Sequence, residues 1–475
     1  MLEKQFKLSK NGTSVKTEIL AGLTTFMTMA YIIALNPNIL TNYGSAGQDL
    51  WNGVFIATCI SSAIAMFAMA FLANKPFCLA PGMGLNSFMA VVIGNLVAIT
   101  GMSYTASFQS MLCIILIEGV IFLILSILNI REKIVDAIPL SIRLGISPAI
   151  GLMLMNIGLG SNVYIADDNY NQFFVMKDFF GALTASSAKE SMGSAYPVMV
   201  LSVVTMFIGL IVIIALSHKG FKGAVILGML AASVIYWIGS FLFLDTNPFA
   251  SLSTASFVPA FSDMVATTLF KFNFAGLAQI GWFTVVTLIV TFCIIDMFDT
   301  IGTLVGTATR AGMVDDNGNM PNMKQALVSD SIGTIVGSCT GTSTVTTFIE
   351  SASGVEAGGR TGLTALTCGL AFLLCVFLSP IAAIIPAAAT SSALIYVGVL
   401  MITGLTKIDF SDYSSSVPVA LMLIAMPISG SIGHGIGIGI ISYVLIKLTT
   451  GKAKEVSALT YGIAAIFLLK FFLAI

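Results

Sequence analysis

Charge is what this sequence has least of: 9% of its 475 residues are charged, against about a quarter in a soluble domain. Apolar residues take the place of the missing charge at 57%. Such a chain cannot wet its own surface, so lipid must solvate most of it. Histidine occurs only twice. The seven cysteines (Cys59, Cys78, Cys113, Cys293, Cys339, Cys368 and Cys375) are scattered through apolar runs, with no CxxC pair and no histidine nearby. They read as small core residues rather than metal ligands or a disulfide framework. No Walker loop and no HExxH motif occurs, so ATP-driven transport and zinc protease chemistry have no visible support. No cofactor is expected, and no nucleic-acid partner. The first residues are polar and the first apolar run lacks a small-residue cleavage site, so the first helix is expected to stay.

A spanning helix needs roughly 20 mainly apolar residues. Such stretches lie near 19–40, 52–73, 77–99, 105–128, 141–159, 196–217 and 222–243. A second set follows near 281–307, 324–339, 343–358, 361–384, 389–405, 414–429 and 431–448. The fold class expected is therefore an all-α polytopic membrane protein of about fourteen segments, several too short to cross as plain helices. The residues from about 457 to 474 form an interfacial segment or an extra span. Cationic residues accumulate in cytoplasmic loops. With the N-terminus inside, seventeen lysines and arginines face the cytoplasm, among them Lys4, Lys75, Arg131, Lys133, Arg143, Lys219, Arg310, Arg360 and Lys454. Only Lys177, Lys189 and Lys271 fall outside. That asymmetry places the chain in the cytoplasmic membrane with both ends inside.

The chain also reads as duplicated. Ile138-Pro139 is followed by Gly151-Leu-Met-Leu-Met, and Ile385-Pro386 by Gly398-Val-Leu-Met-Ile at the same spacing. Each opens the fifth span of its half, and an odd number of spans per half inverts the second copy. Chance similarity between apolar helices is the alternative. The division expected is a tail at 1–16, a first repeat at 17–245, an extracellular linker at 246–280, a second repeat at 281–448 and a C-terminal segment at 449–475. The third span of each half is broken. Lys75-Pro-Phe-Cys-Leu-Ala-Pro-Gly-Met-Gly-Leu-Asn86 carries prolines and glycines where a helix should be. Ser343-Thr-Val-Thr-Thr-Phe-Ile349 is β-branched and aromatic, and reads as a short strand. Two strands at membrane depth can satisfy each other's amides. The half-helices after them, near Gly84 and Glu350, are then expected to point N-terminal amides at a common centre.

Charged groups inside spans are costly and mark functional positions. Glu118, Asp296, Asp299, Asp330 and Glu350 qualify. Asp296 and Asp299 are three apart and share a helical face. Buried together they repel, so one carboxyl is expected to keep its proton, as a proton-coupling site requires. One of them can instead hold backbone amides of a broken helix. Glu350 can cap amides at its helix start or accept N–H donors from a flat heterocycle, with Phe348 as a stacking surface. Asn86 offers a donor and an acceptor, or is a plain helix-start residue. Glu118 and Asp330 read as structural. His434 reads as a satisfied polar residue in a glycine-rich packing helix, and the glycines Gly302, Gly306 and Gly433 to Gly439 as close helix contacts.

Four stretches resemble one family. They are Thr17-Glu-Ile-Leu-Ala-Gly-Leu-Thr-Thr-Phe-Met-Thr-Met-Ala-Tyr-Ile, Ala80-Pro-Gly-Met-Gly-Leu-Asn-Ser-Phe, Asp296-Met-Phe-Asp-Thr-Ile-Gly, and Gly341-Thr-Ser-Thr-Val-Thr-Thr-Phe-Ile-Glu-Ser-Ala-Ser-Gly-Val with Gly358-Gly-Arg-Thr-Gly. They are similar to the AzgA-like purine permeases of the nucleobase/ascorbate transporter superfamily, in order and over nearly the whole chain. The resemblance implies two inverted sevens divided into core and gate domains, with strands in segments three and ten. It implies secondary uptake of hypoxanthine and guanine with H+, or with Na+. Substrate contacts are expected from Asn86, Asp296, Glu350, Phe348, Ser351 and Gly84, and proton coupling from Asp296 and Asp299. Adenine is an alternative substrate. The superfamily often has a glutamate where Asp296 stands, which leaves open whether Asp296 meets the base directly or through water. Anion carriers share the general fold, but buried carboxylates would repel an anion. An intramembrane aspartyl protease needs two catalytic aspartates on separate helices, whereas Asp296 and Asp299 share one, and no GxGD motif occurs. Whether the protein is a homodimer is open at this level.

Overall fold

The computed structural model describes residues 2–128, 139–160, 189, 193–253, 255–310, 313 and 320–473. Arg131, Lys133, Ile138 and Lys177 of the charge and repeat patterns lie outside them. The first span, Val15–Leu40, is two helices, α1 (Val15–Met29) and α2 (Ile32–Leu40), interrupted at Ala30 and Tyr31. Ser14 opens α1 by accepting the Thr17 amide at 3.2 Å. Then come α3 (Gln48–Ala68), β1 (Leu79–Pro81), α4 (Met83–Thr100) and α5 (Tyr104–Ile127). Three helices follow: α6 (Leu140–Leu159), α7 (Tyr196–His218) and α8 (Ala224–Phe243). The second half begins with α9 (Trp282–Arg310), α10 (Met323–Thr340), β2 (Val345–Thr347), α11 (Ser351–Glu356) and α12 (Gly362–Leu374). It continues with α13 (Ala387–Ile402), α14 (Tyr413–Ser429), α15 (Ile432–Thr449) and α16 (Ala458–Leu473).

Among the described residues, ten helices are long and apolar enough to cross a membrane. The other four expected segments deviate for physical reasons. The helix from Trp282 is bent by 107° against Phe274–Ile280 before it. α10 is full length but polar, burying Ser329, Asp330, Ser331, Thr334 and Ser338. The tenth segment is a strand and one short helix. α14 is an apolar helix of 17 residues with prolines at 418 and 427.

The chain divides into two compact units. One comprises Met1–Leu140, Val258–Ser379 and Lys447–Ile475. Its centre is the strand pair and the polar face of α10. The other comprises Ser141–Phe257 and Pro380–Ile446. There Met206, Ala388 and Ile395 form a core against which Met155, Leu159, Val203, Leu210 and Tyr236 pack. Asn156 donates to the carbonyl of Pro427 at 3.0 Å and Trp237 to that of Ile384 at 3.0 Å, which satisfies polar groups that lipid would leave orphaned. In this unit Ile211, Leu242 and Phe243 are 63%, 68% and 73% exposed. Apolar surface of that extent on helices of spanning length is lipid-facing.

Candidate functional site

The broken third segments meet as the sequence pattern requires. β1 and β2 pair antiparallel, Leu79 opposite Thr347, Ala80 opposite Thr346 and Pro81 opposite Val345. The ladder runs past the strands at both ends, since Phe348 donates its amide to the Cys78 carbonyl at 3.0 Å and Gly82 donates to Thr344 at 3.0 Å. Ser351 accepts the Cys78 amide on its hydroxyl at 2.9 Å. Every strand residue is buried. Irregular backbone at this depth is tolerable because these bonds close it off from lipid. A side chain on Gly337 would come within 2.8 Å of the Ser343 carbonyl, so the glycine is what lets α10 lie against the strand segment.

The two half-helices are unequal. α4 has 18 residues, whereas α11 has six. The expectation of two opposed N-terminal dipoles therefore holds in length only for α4, since one short turn sums few peptide dipoles. Gly82 is the residue before α4. A Cβ there would sit 2.7 Å from the Thr346 methyl and 3.5 Å from Asp299 Oδ2. The Asp299 carboxylate thus lies beside the start of α4.

Glu350 precedes α11, and its side chain makes no capping bond. Its Oε1 instead accepts the hydroxyl of Tyr31 at 2.8 Å. Tyr31 is fully buried at the break between α1 and α2. The break lets a side chain from the first span reach the tenth segment. Asp299 lies within electrostatic reach of both Asp330 and Glu350. Asp296, also on α9 and fully buried, accepts the Thr300 hydroxyl at 3.1 Å. That hydroxyl is 3.1 and 3.0 Å from the two carboxylate oxygens of Asp330 and 2.7 Å from the Thr346 hydroxyl. Four acidic residues from α9, α10 and the start of α11 are gathered round the strand pair.

The other expected contacts are partly engaged within the fold. Asn86 is buried; its amide donates to the Pro81 carbonyl at 3.2 Å and its Oδ1 accepts the Ser343 hydroxyl. One N–H of that amide remains for another acceptor. Gly84 lies in the first turn of α4. Phe348 is buried at the end of the ladder, next to the 47% exposed Ile349. Glu118 takes the Thr344 hydroxyl at 3.0 Å and so pins the turn before β2. His434 belongs to the other unit.

Sequence reasoning missed Tyr31, Thr300 and Glu18. Glu18 is fully buried near the start of α1. Its carboxylate accepts the amides of Arg360, Thr361 and Thr364 at 2.8, 3.3 and 3.1 Å, and the Thr364 hydroxyl at 2.6 Å. It caps α12 from more than 340 residues away in sequence. Arg360 in turn donates to the Val355 and Gly359 carbonyls at 2.6 and 2.8 Å, closing the end of α11. The available signal was an acidic residue in the first spanning helix, together with the Gly-Gly-Arg-Thr-Gly stretch that meets it.

Comparison with known proteins places the chain in a family. The family model described as Permease family, of xanthine/uracil type, matches residues 16–440. The adenine permease AdeP of Escherichia coli is 36% identical over 99% of this chain and 96% of its own length. The guanine/hypoxanthine permease PbuO of Bacillus subtilis is 35% identical over 98% of this chain and all of its own length. Among solved structures, the transmembrane domain of a cyanobacterial bicarbonate transporter, BicA, superposes with a TM-score of 0.59 at 17% identity. It covers 88% of this chain and 97% of that one, a likeness of fold alone.

Proposed function

We propose that this chain, which belongs to the permease family of nucleobase and ascorbate transporters, takes up hypoxanthine and guanine by symport with protons. It is a multi-pass membrane transporter and not an enzyme. The observation that carries the substrate reading is Glu350, a largely buried carboxylate whose Oε1 is held by Tyr31 at 2.8 Å. A carboxylate accepts about four hydrogen bonds, so Tyr31 fixes its orientation and leaves capacity for N–H donors. Hypoxanthine and guanine present N1–H beside their C6 carbonyl, and guanine adds an exocyclic amine. A positioned carboxylate is complementary to that edge, and charge-assisted bonds of this kind are the strong ones. Asn86 and Gly84 at the start of α4, with Phe348 and Ser351 at the end of the strand pair, complete the proposed contacts.

Adenine is the second reading, since AdeP matches as well as PbuO does. Adenine carries an acceptor at N1, so a site built on an ionised glutamate binds it less well. The anion carriers that share the fold are less apt guides to the substrate, because four acidic side chains disfavour an anion. Asp296 and Asp299 are the proposed proton-coupling pair. The excess of lysine and arginine on one side supports a cytoplasmic membrane with the N-terminus inside.

Proteoliposomes holding the purified protein test this with labelled hypoxanthine, guanine, adenine, xanthine and uracil under an inward proton gradient. Accumulation of hypoxanthine and guanine that a protonophore abolishes is the expected result. Accumulation of adenine alone would overturn the substrate assignment, and accumulation that follows a sodium gradient and ignores the protonophore would overturn the ion.

A further inference from the structure

We propose that the hydroxyl of Thr300 is a proton bridge between Asp296 on α9 and Asp330 on α10, which makes Asp330 and Thr300 part of the coupling path. This rests on the proton-symport reading and extends it to residues outside the paired aspartates. Thr300, Asp296 and Asp330 are fully buried, and Thr346 nearly so. One oxygen, Thr300 Oγ1, lies 3.1 Å from Asp296 Oδ1, 3.1 and 3.0 Å from the two oxygens of Asp330, and 2.7 Å from Thr346 Oγ1. A threonine hydroxyl has a single hydrogen to donate and two lone pairs. It can therefore serve one carboxylate at a time while accepting from another group. Two aspartates from different helices thus compete for one hydrogen.

The proton count follows directly. With Asp296 neutral and Asp330 ionised, Thr300 donates its hydrogen to Asp330 and accepts the carboxyl hydrogen of Asp296. Transfer breaks the O–H bond of Asp296, forms one on Asp330 and leaves Thr300 with one hydrogen throughout. The net movement is one proton from α9 to α10, with the negative charge moving the opposite way. Thr346 sits on β2, so its hydroxyl ties the bridge to the strand pair that leads to Glu350. The acidic groups round the bridge are Asp296 and Asp299 from α9, Asp330 from α10 and Glu350 at the start of α11. Glu118 on α5 is directed to Thr344 instead. The described residues of β1, β2 and α4 carry no charged side chain.

A bridge and a mere packing contact differ in what survives its loss. Thr300→Val keeps the shape and removes the hydroxyl, and Thr300→Ser keeps the hydroxyl and loses the methyl. In proteoliposomes the valine variant is expected to lose about tenfold or more of its protonophore-sensitive accumulation. Its rise in uptake with falling external pH should flatten. Hypoxanthine affinity and exchange of internal for external purine should stay close to those of the unmodified protein, and serine should restore both accumulation and pH profile. Thr300→Ala serves as the hydroxyl-free variant if valine prevents folding. Unchanged coupling in a hydroxyl-free variant overturns the bridge while leaving symport standing. Equal loss of affinity, exchange and accumulation, rescued by neither variant, makes Thr300 a packing residue and also overturns it. Uptake by the unmodified protein that is indifferent to protons overturns the symport reading itself.

Discussion

A Cβ on Gly151 would lie 2.6 Å from the carbonyl oxygen of Gly398, and a Cβ on Gly398 would lie 2.6 Å from the carbonyl oxygen of Gly151. The contact is reciprocal, as contacts about a two-fold relation are. These are the two glycines that follow Pro139 and Pro386 at equal spacing, so the matching landmarks are also partners in space. The blocking atoms belong to backbone and cannot swing aside. Gly151→Ala or Gly398→Ala is expected to cost about 1–3 kcal/mol by overpacking, read as a lower melting temperature in detergent. An unchanged melting temperature for both variants would show that α6 and α13 move apart freely.

Tyr31→Phe removes one hydroxyl and no ring. A hydrogen bond to a charged group contributes about 1.5–3 kcal/mol to the fold, so the melting temperature should fall, and hypoxanthine affinity should weaken as Glu350 loses the contact that orients it. Calorimetric titration with hypoxanthine is the measurement, and undiminished affinity would remove Tyr31 from the site.

Glu350→Gln is a harsher change. An amide presents one acceptor and a mismatched donor in place of two acceptors, and Tyr31 must then compete with the purine for the single oxygen. Binding of hypoxanthine should fall below detection while size-exclusion behaviour is kept. Full affinity in the folded variant would move the purine edge to another residue.

The pH dependence has a definite sign. If one of the paired aspartates must take a proton from outside before the loaded carrier turns, uptake rises as external pH falls. Asp296→Asn should abolish concentrative uptake and spare exchange, because exchange needs no net proton movement. Asp299→Asn removes an acid that lies within electrostatic reach of Asp330 and Glu350 and should lower protonophore-sensitive accumulation. Protonophore-sensitive accumulation by the Asp296→Asn variant would pass the coupling role to Glu350 or His434.

Glu18→Ala removes the carboxylate that the Arg360, Thr361 and Thr364 amides share at the start of α12. A buried donor left without an acceptor costs about 1–3 kcal/mol, so the yield of folded protein should fall, with Glu18→Gln intermediate. Wild-type thermal stability in the alanine variant would contradict the capping role.

The elements were legible because their causes are local. Apolar runs of spanning length marked the helices, prolines and glycines from Pro76 to Gly84 marked the first break, and the β-branched run from Thr344 to Thr347 marked the second strand. Carboxylates in apolar surroundings marked Asp296, Asp299, Glu118 and Glu350. The pairings among them were not legible, because a hydrogen bond such as Tyr31 to Glu350 spans 319 positions and leaves no periodic trace. Threonine hides most easily: Thr300 and Thr346 are as common in a packed helix or strand as at a relay, and only their distances separate the two uses.

The Glu18 cap has a bearing on biosynthesis. Its carboxylate leaves the ribosome 342 residues ahead of the Arg360 amide that it accepts. At about 5–20 residues per second that interval is tens of seconds. Throughout it the first helix is in the membrane with an acid whose donors do not yet exist. Tyr31 waits for Glu350 over a similar length of chain. The unit that holds both is assembled from three separate stretches, the last of them beginning at Lys447. A nascent chain stopped at mid-length therefore contains the opening helices but not the groups that fix them. Quality control acting on such intermediates would meet Glu18 as an unburied charge at the edge of the bilayer.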